Sequence, residues 1–380
     1  MSKHGKSVIM SAMILSAAAS GVAAAADEPA AAAAPAGPTL TDILTNSGIT
    51  ATGFVAASYY HSNGYGDGHQ FDNKHDTFQL DQAGITLAYQ PKEGFGALVD
   101  LRAGEDMKIL NAAEGNTPHT FDVVQGFVQY ATGPVTVIAG KYVTLAGAEV
   151  IAPTGNTNFS RSFLFFAEPL THTGIRGTYA VTDTFSVIAG VNNGWNYSSL
   201  TTSGSKTGEF GAAWTPSKIF ALTAQAYVGK DPLFDAQKTL VDAVATYNVT
   251  EALSFVLTYD WGKQKQQAAG AGDFSWSGAA LYTNYALSDQ WRVSLRVEYL
   301  DDKDGFITAT GVGQTLKEGT LTFGYSPIKS FEVRIEGRYD KSSQPYFRRT
   351  AIYAPNSSAL AGYVPSDSQT GFALQAVYKF

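Results

Sequence analysis

The stretch "FEVRIEGRYD" (331–340) decides the fold class of this chain. Phe331, Val333, Ile335, Gly337 and Tyr339 alternate with an unbroken charged file of Glu332, Arg334, Glu336, Arg338 and Asp340. Side chains of a strand point to opposite faces in turn, so this segment has one apolar face and one of paired opposite charges. A soluble sandwich would bury the apolar face and wet the charged one. A membrane barrel would turn the apolar face to lipid and the charges into a lumen. The rest of the chain chooses between them.

The mean hydropathy of −0.07 is too polar for a helical membrane protein. Lys3 and Lys6 precede the short apolar run "SVIMSAMILSAAASGVA" (7–23), and an A-x-A-like site follows at 24–26. This predicts a signal peptide over 1–26 and export through the Sec pathway. No later run of about 20 apolar residues offers a membrane helix. Loss of Lys3 and Lys6 takes the net charge from −7 to about −9, which argues against a nucleic-acid partner. The absence of cysteine excludes a disulfide framework, a thiolate metal site and a thiol nucleophile. Stability must then come from an extensive backbone ladder or core. Residues 27–38, "DEPAAAAAPAGP", read as a mobile tether. A helical turn or two is expected over 39–48, with Leu40, Ile43 and Leu44 on one side. The expected organisation is signal peptide 1–26, tether with short helix 27–47, and one domain over 48–380.

That domain carries no convincing helix period. Alternating segments fall at 49–60, 78–89, 95–103, 121–130, 135–143, 171–180, 185–193, 207–214, 220–229, 239–248, 253–262, 275–286, 291–301, 314–325, 331–340 and 370–380. This is about 16 strands. Their connections alternate in length. Short ones such as "QPKEG", "ATGP" and "SPIKS" trade places with long polar ones such as "HSNGYGDGHQFDNKHDT". Short turns at one end and long loops at the other are the pattern of an outer-membrane barrel, and a sandwich has no reason to sort its loops. Along 253–261, Leu253, Phe255, Leu257, Tyr259 and Trp261 share a face opposite Ser254, Thr258 and Asp260. Aromatics gather at strand ends with aliphatics between, as in two interfacial girdles around a lipid-facing band. The predicted fold is all-β: a transmembrane antiparallel barrel with outer-membrane lipid around it.

The last strand, "TGFALQAVYKF", ends on Phe380, which looks like the signal that the barrel assembly machinery reads. The mature chain resembles the OmpL-like β-barrel porins of proteobacteria, above all through "GAEVIAPTGNTNFSRSFLFFAEPLTHTGIRGTYAV" (147–181) and "LTNSGITATGFVAASYYHS" (44–62). The resemblance implies a diffusion channel in the outer membrane of a Gram-negative cell, built as a homotrimer, with no catalytic residues and no cofactor. General porins, which the chain also looks like, fold their third external loop into the barrel.

By strand count that loop is 144–171 here. It carries Glu149, Arg161 and Glu168, and its Phe163–Phe166 run would sit badly in open water. Folded inward, its acids would face basic wall residues among Arg102, Lys141, Arg176, Arg292, Arg296, Arg334 and Arg338. Asp100, Glu209, Asp242, Asp260, Glu298, Glu332 and Glu336 are the acidic lumen candidates. Opposed charges make a transverse field across a constriction, through which ions and small hydrophilic solutes pass more readily than apolar ones. Lys141 is expected inside, because a lipid-facing lysine at mid-depth costs about 2–4 kcal/mol. The charges are too balanced to assign ion selectivity.

The first long loop gathers His61, Asp67, His69, Asp72, His75 and Asp76. Carboxylates suit Ca²⁺ and imidazoles suit transition metals, but the spacing fits neither an EF-hand nor a zinc motif, so no metal is assigned. No HExxH or GxSxG motif points to a barrel hydrolase. Too few residues precede the first strand for the plug of a gated transporter. A closed barrel serving as a surface adhesion or structural platform through its outer loops is the first alternative, and a barrel hydrolase with a serine and a histidine brought together in space is the second.

Overall fold

The computed structural model describes residues 44, 46–199, 204–266, 272–353 and 360–380. The expected signal peptide and the tether up to residue 43 lie outside the described residues. Leu44, Asn46 and Ser47, at the end of the expected short helix, are helical.

Sixteen antiparallel strands close into a barrel. They are β1 (Thr50–Ser62), β2 (Thr77–Tyr89), β3 (Gly94–Ala103), β4 (Phe121–Thr132), β5 (Val135–Val143), β6 (Thr171–Thr182), β7 (Phe185–Asn192) and β8 (Thr207–Trp214). The second half comprises β9 (Phe220–Asp231), β10 (Ala236–Asn248), β11 (Leu253–Gln264), β12 (Phe274–Ala286), β13 (Trp291–Asp302), β14 (Gln314–Ile328), β15 (Phe331–Ser342) and β18 (Ser368–Lys379). A separate hairpin, β16 (Phe347–Tyr353) with β17 (Leu360–Ser366), stands in the connection from β15 to β18.

Each strand pairs with its sequence neighbour, and β1 pairs with β18 to shut the ring. Closure leaves no wall edge unpaired, which a lipid-embedded backbone requires. At the seam, Gly53 and Phe380 exchange two backbone hydrogen bonds of 2.9 Å. A Cβ at position 53 would come within 2.4 Å of the Phe380 ring, so glycine lets the terminal aromatic lie across the first strand.

The two faces separate as the alternation requires. On β15, Ile335 and Tyr339 are 47% and 49% exposed, while Arg334, Glu336, Arg338 and Asp340 are all buried. On β13, Leu295, Val297 and Tyr299 point outward, and Ser294, Arg296, Glu298 and Leu300 are enclosed. Exposed aromatics mark both strand ends, with Tyr285, Trp291 and Tyr378 near the short turns and Phe78, Trp261 and Phe372 toward the long loops.

One difference from the sequence reading lies in the second loop. Asp106–Ala113 forms an eight-residue helix, α1, where no helix is expected. Its Met107, Leu110 and Asn111 recur at helical spacing and are buried, but two turns inside a loop are too short for the period to stand out. A second short helix, α2 (Phe163–Ala167), lies in the third loop.

Candidate functional site

The inward charges of β13–β15 meet residues 144–170, the third loop, and the pattern of contact is regular. Wall arginines take the loop's carbonyls. Arg292 donates to Thr157 O (2.7 Å), Arg296 to Ser160 O (2.8 Å) and Arg334 to Pro153 O (3.1 Å), and Arg338 donates to Arg161 O. Wall carboxylates take the loop's amides. Glu336 accepts from Phe159 N (2.6 Å) and Ser160 N (2.9 Å). Glu298 accepts from Phe163 N (2.8 Å) and Leu164 N (2.6 Å). Those last two amides open α2, whose N-cap Ser162 accepts from Phe165 N, so the helix start has its donors satisfied. An alternating file of acids and bases thus holds an irregular backbone that would otherwise leave buried polar groups unpaired.

Arg296 is the centre of this interface. It is fully buried, and it pairs with Glu149 of the loop (2.7 Å) and Glu318 of β14 (2.5 Å). Glu298 and Glu318 stand directly opposite each other in the register, and the neighbouring guanidinium offsets that repulsion. Glu149 also accepts from Ser162 N (2.8 Å) and Ser162 Oγ (2.6 Å). Glu149 and Arg296 thus join a loop acid to a wall base.

Arg161 behaves differently. Its guanidinium donates to Val150 O, Phe159 O and Ile151 O within its own loop, and it lies over the rings of Phe71 and Phe165. Glu332 is shared by Arg292 (2.6 Å) and Arg334 (2.8 Å), a wall pairing. Glu168 faces neither of these bases and lies beside Asp242 and Asp260.

The Phe163–Phe166 run anchors the loop in two apolar clusters. Phe163 and Leu164 pack with Trp276, Leu300, Leu316 and Phe347, whereas Phe165 joins Met107, Leu110 and Phe71. Loops one and two and the β16–β17 hairpin thereby contribute to the same interior, a participation that alternation along strands cannot reveal. Phe166 is the member left exposed, at 36%.

Elsewhere on the wall, Arg102 pairs with Asp100 (2.6 Å), and Arg176 pairs with Glu209 (2.7 Å) and lies 4.1 Å from the Tyr142 ring centre. Lys141 reaches Glu114 (2.6 Å) and Asp122 (3.1 Å) and is only 12% exposed. The register puts Tyr142, rather than Lys141, in line with His172 and Arg176.

The first-loop group divides. His61 and His75 both meet Asp76 (2.5 and 2.8 Å), and Asp67 holds Arg348. His69 is buried between Asp72 (2.8 Å) and Asp340 of β15 (2.9 Å). Burial and Arg338 pull the His69 pKa down, but Asp72 and Asp340 outweigh them and hold it up at about 9.

Residues 48–380 match the family model described as "Putative beta-barrel porin-2, OmpL-like". The chain belongs to this family. It is an outer-membrane porin-type barrel, in keeping with the resemblance carried by its sequence. No match was found among curated proteins. Several solved structures share the fold at low identity. The trimer form of in-vitro folded OmpT from Vibrio cholerae gives a TM-score of 0.57 at 12% identity, over 87% of this chain and 99% of that one. The outer membrane channel DcaP of Acinetobacter baumannii gives 0.58 at 12%, over 87% and 97%. An anion-selective porin from Comamonas acidovorans gives 0.54 at 12%, over 87% and 99%.

Proposed function

We propose that the chain forms a passive, water-filled channel for small hydrophilic solutes, narrowed by its third loop. The observation that carries this reading is the binding of that loop's backbone by inward charges from β13 and β15. A segment bonded to the inner face takes up lumen cross-section and leaves passage only along the remaining wall. On the short-turn side, a cavity of about 310 Å³ opens between Thr154–Thr157 of the loop and Arg292, Glu332 and Arg334. A solute leaving the throat there meets Arg292, Arg334, Lys329 and Lys379 with the single carboxylate of Glu332, a polar surface that favours hydrated over apolar solutes.

The chain acts without catalysis, and we read it as a homotrimer in outer-membrane lipid, delivered by the barrel assembly machinery. The trimer rests on the fold shared with the OmpT trimer form.

A second reading has its own support. Phe163, Leu164, Trp276, Leu300, Leu316 and Phe347 make an apolar cluster that fills part of the interior, as a closed barrel with a platform role would need. Single-channel conductance of refolded protein in a planar bilayer separates the two. Stable steps, enlarged when residues 153–162 are replaced by a short glycine-serine link, support the narrowed channel. Silence from a demonstrably folded barrel would overturn it in favour of the platform.

A further inference from the structure

Where the third loop runs toward β6, it leaves the charged file of β13–β15 and meets β10 and β11. There Glu168 approaches Asp242 and Asp260, and one oxygen from each lies within 4.8 Å of the others. Asp242 and Asp260 are directly opposite in the register, a like-charge placement that destabilises a sheet unless something offsets it. Asp242 and Asp260 are wholly buried and Glu168 is 6% exposed.

The rest of the loop interface satisfies its buried acids. Glu149 has Arg296 and Ser162, Glu298 has two loop amides, and Glu336 has two more. This trio departs from that rule. Neither carboxylate oxygen of Asp260 has a hydrogen-bond partner, nor has Asp242 Oδ1 or Glu168 Oε2. Thr258 Oγ1 donates to the other oxygen of Asp242, at 3.3 Å. Among the described residues none of the three forms an ion pair with a lysine, arginine or histidine. Three enclosed carboxylates with so few donors and no counter-charge are costly, and a bound cation removes that cost.

The backbone is shaped around the group. Gly147 has φ of +80°, and a Cβ there would come within 2.0 Å of Glu168 Oε2. Glycine thus lets the start of the loop close over the carboxylate.

We propose that Glu168, Asp242 and Asp260 bind one hard divalent cation, calcium by their chemistry, and that the ion ties the end of the third loop to the β10–β11 wall. The donors are all carboxylate oxygens, which suit Ca²⁺ and offer no nitrogen or sulfur to a softer metal. Their excess negative charge favours a divalent over a monovalent ion. The site is separate from the His/Asp group of the first loop and does not depend on the barrel being open.

The test is calcium titration by isothermal calorimetry on full-length protein, refolded in detergent and stripped with chelator. The expected result is one calcium per chain, weakened at least tenfold in both Asp260→Asn and Asp242→Asn and unchanged in Asp76→Asn. Electrophoretic heat-modifiability confirms that each variant is folded, and Glu168→Gln replaces any variant that is not. Absence of calcium binding in the folded wild type would overturn the proposal and leave protons shared among the three carboxyls. Binding that survives in both wall variants would place calcium elsewhere and overturn it equally.

Discussion

Arg296 and Arg292 are both inward arginines of one strand, and their surroundings set very different energetic roles. Arg296 is wholly enclosed between Glu149 and Glu318, whereas the Arg292 side chain keeps 23% of its surface in solvent. Removing that buried guanidinium leaves Glu149 without a counter-charge and Glu318 with only the more distant Arg338 (3.8 Å), at a cost of about 3–5 kcal/mol. Removing a partly exposed one costs about 1 kcal/mol or less. Arg296→Met is therefore expected to lower unfolding stability in guanidinium chloride several times more than Arg292→Met. Equal losses would show that the Glu149–Arg296–Glu318 cluster is not what fastens the loop. His69 makes a second prediction at this scale. Its folded pKa of about 9 lies above the usual value near 6.5, so the protonated ring stabilises the fold. That contribution is complete below pH of about 6.5 and fades as the pH rises through about 9. Thermal midpoints followed from pH 6 to 10 are expected to fall in the wild type and to flatten over that range in His69→Gln. A wild-type slope retained by the variant would assign the effect to another group.

At the scale of elements, the third loop behaves as an inserted backbone segment held along its length. Glu336 alone satisfies two consecutive amides, Phe159 N and Ser160 N. A glutamine there keeps one acceptor oxygen, so Glu336→Gln is expected to cost about 1–3 kcal/mol locally. Hydrogen exchange of residues 157–161 reads this directly, with faster exchange there and none on β6 or β7. Uniformly faster exchange would mean a globally loosened barrel instead. The strands were legible because a period of two, repeated sixteen times with sorted connections, has few rival explanations. The phenylalanines and opposed charges on which the expected inward fold of the loop rests were legible. Its partners were less so. Arginines bind loop carbonyls and glutamates bind loop amides, and backbone groups leave no trace in side-chain composition. Arg161, a constriction candidate by sequence, turns its donors onto Val150, Ile151 and Phe159 of its own loop. Helix α1 escaped notice because eight residues flanked by strands carry too little period to read.

At the scale of the whole molecule, sixteen strands are worth nothing in lipid until the first meets the last. Phe380 stands at that closure. It exchanges two backbone hydrogen bonds with Gly53, and its ring, 66% exposed, lies on the outer surface near the turn-side girdle. Loss of the residue removes only those two bonds from a seam whose remaining pairs run from Phe54–Lys379 to Ser62–Gly371. At about 1 kcal/mol each, the stability of the finished barrel should fall by about 2 kcal/mol. A strand end that the assembly machinery must recognise would lose far more than this in a cell. Deletion of Phe380 is accordingly expected to cut the folded, heat-modifiable fraction in isolated outer membranes several-fold, while the same variant refolds in detergent with a nearly unchanged midpoint. A parallel loss in both settings would make Phe380 a structural clasp alone. An unchanged fraction in the membrane would remove its part in assembly.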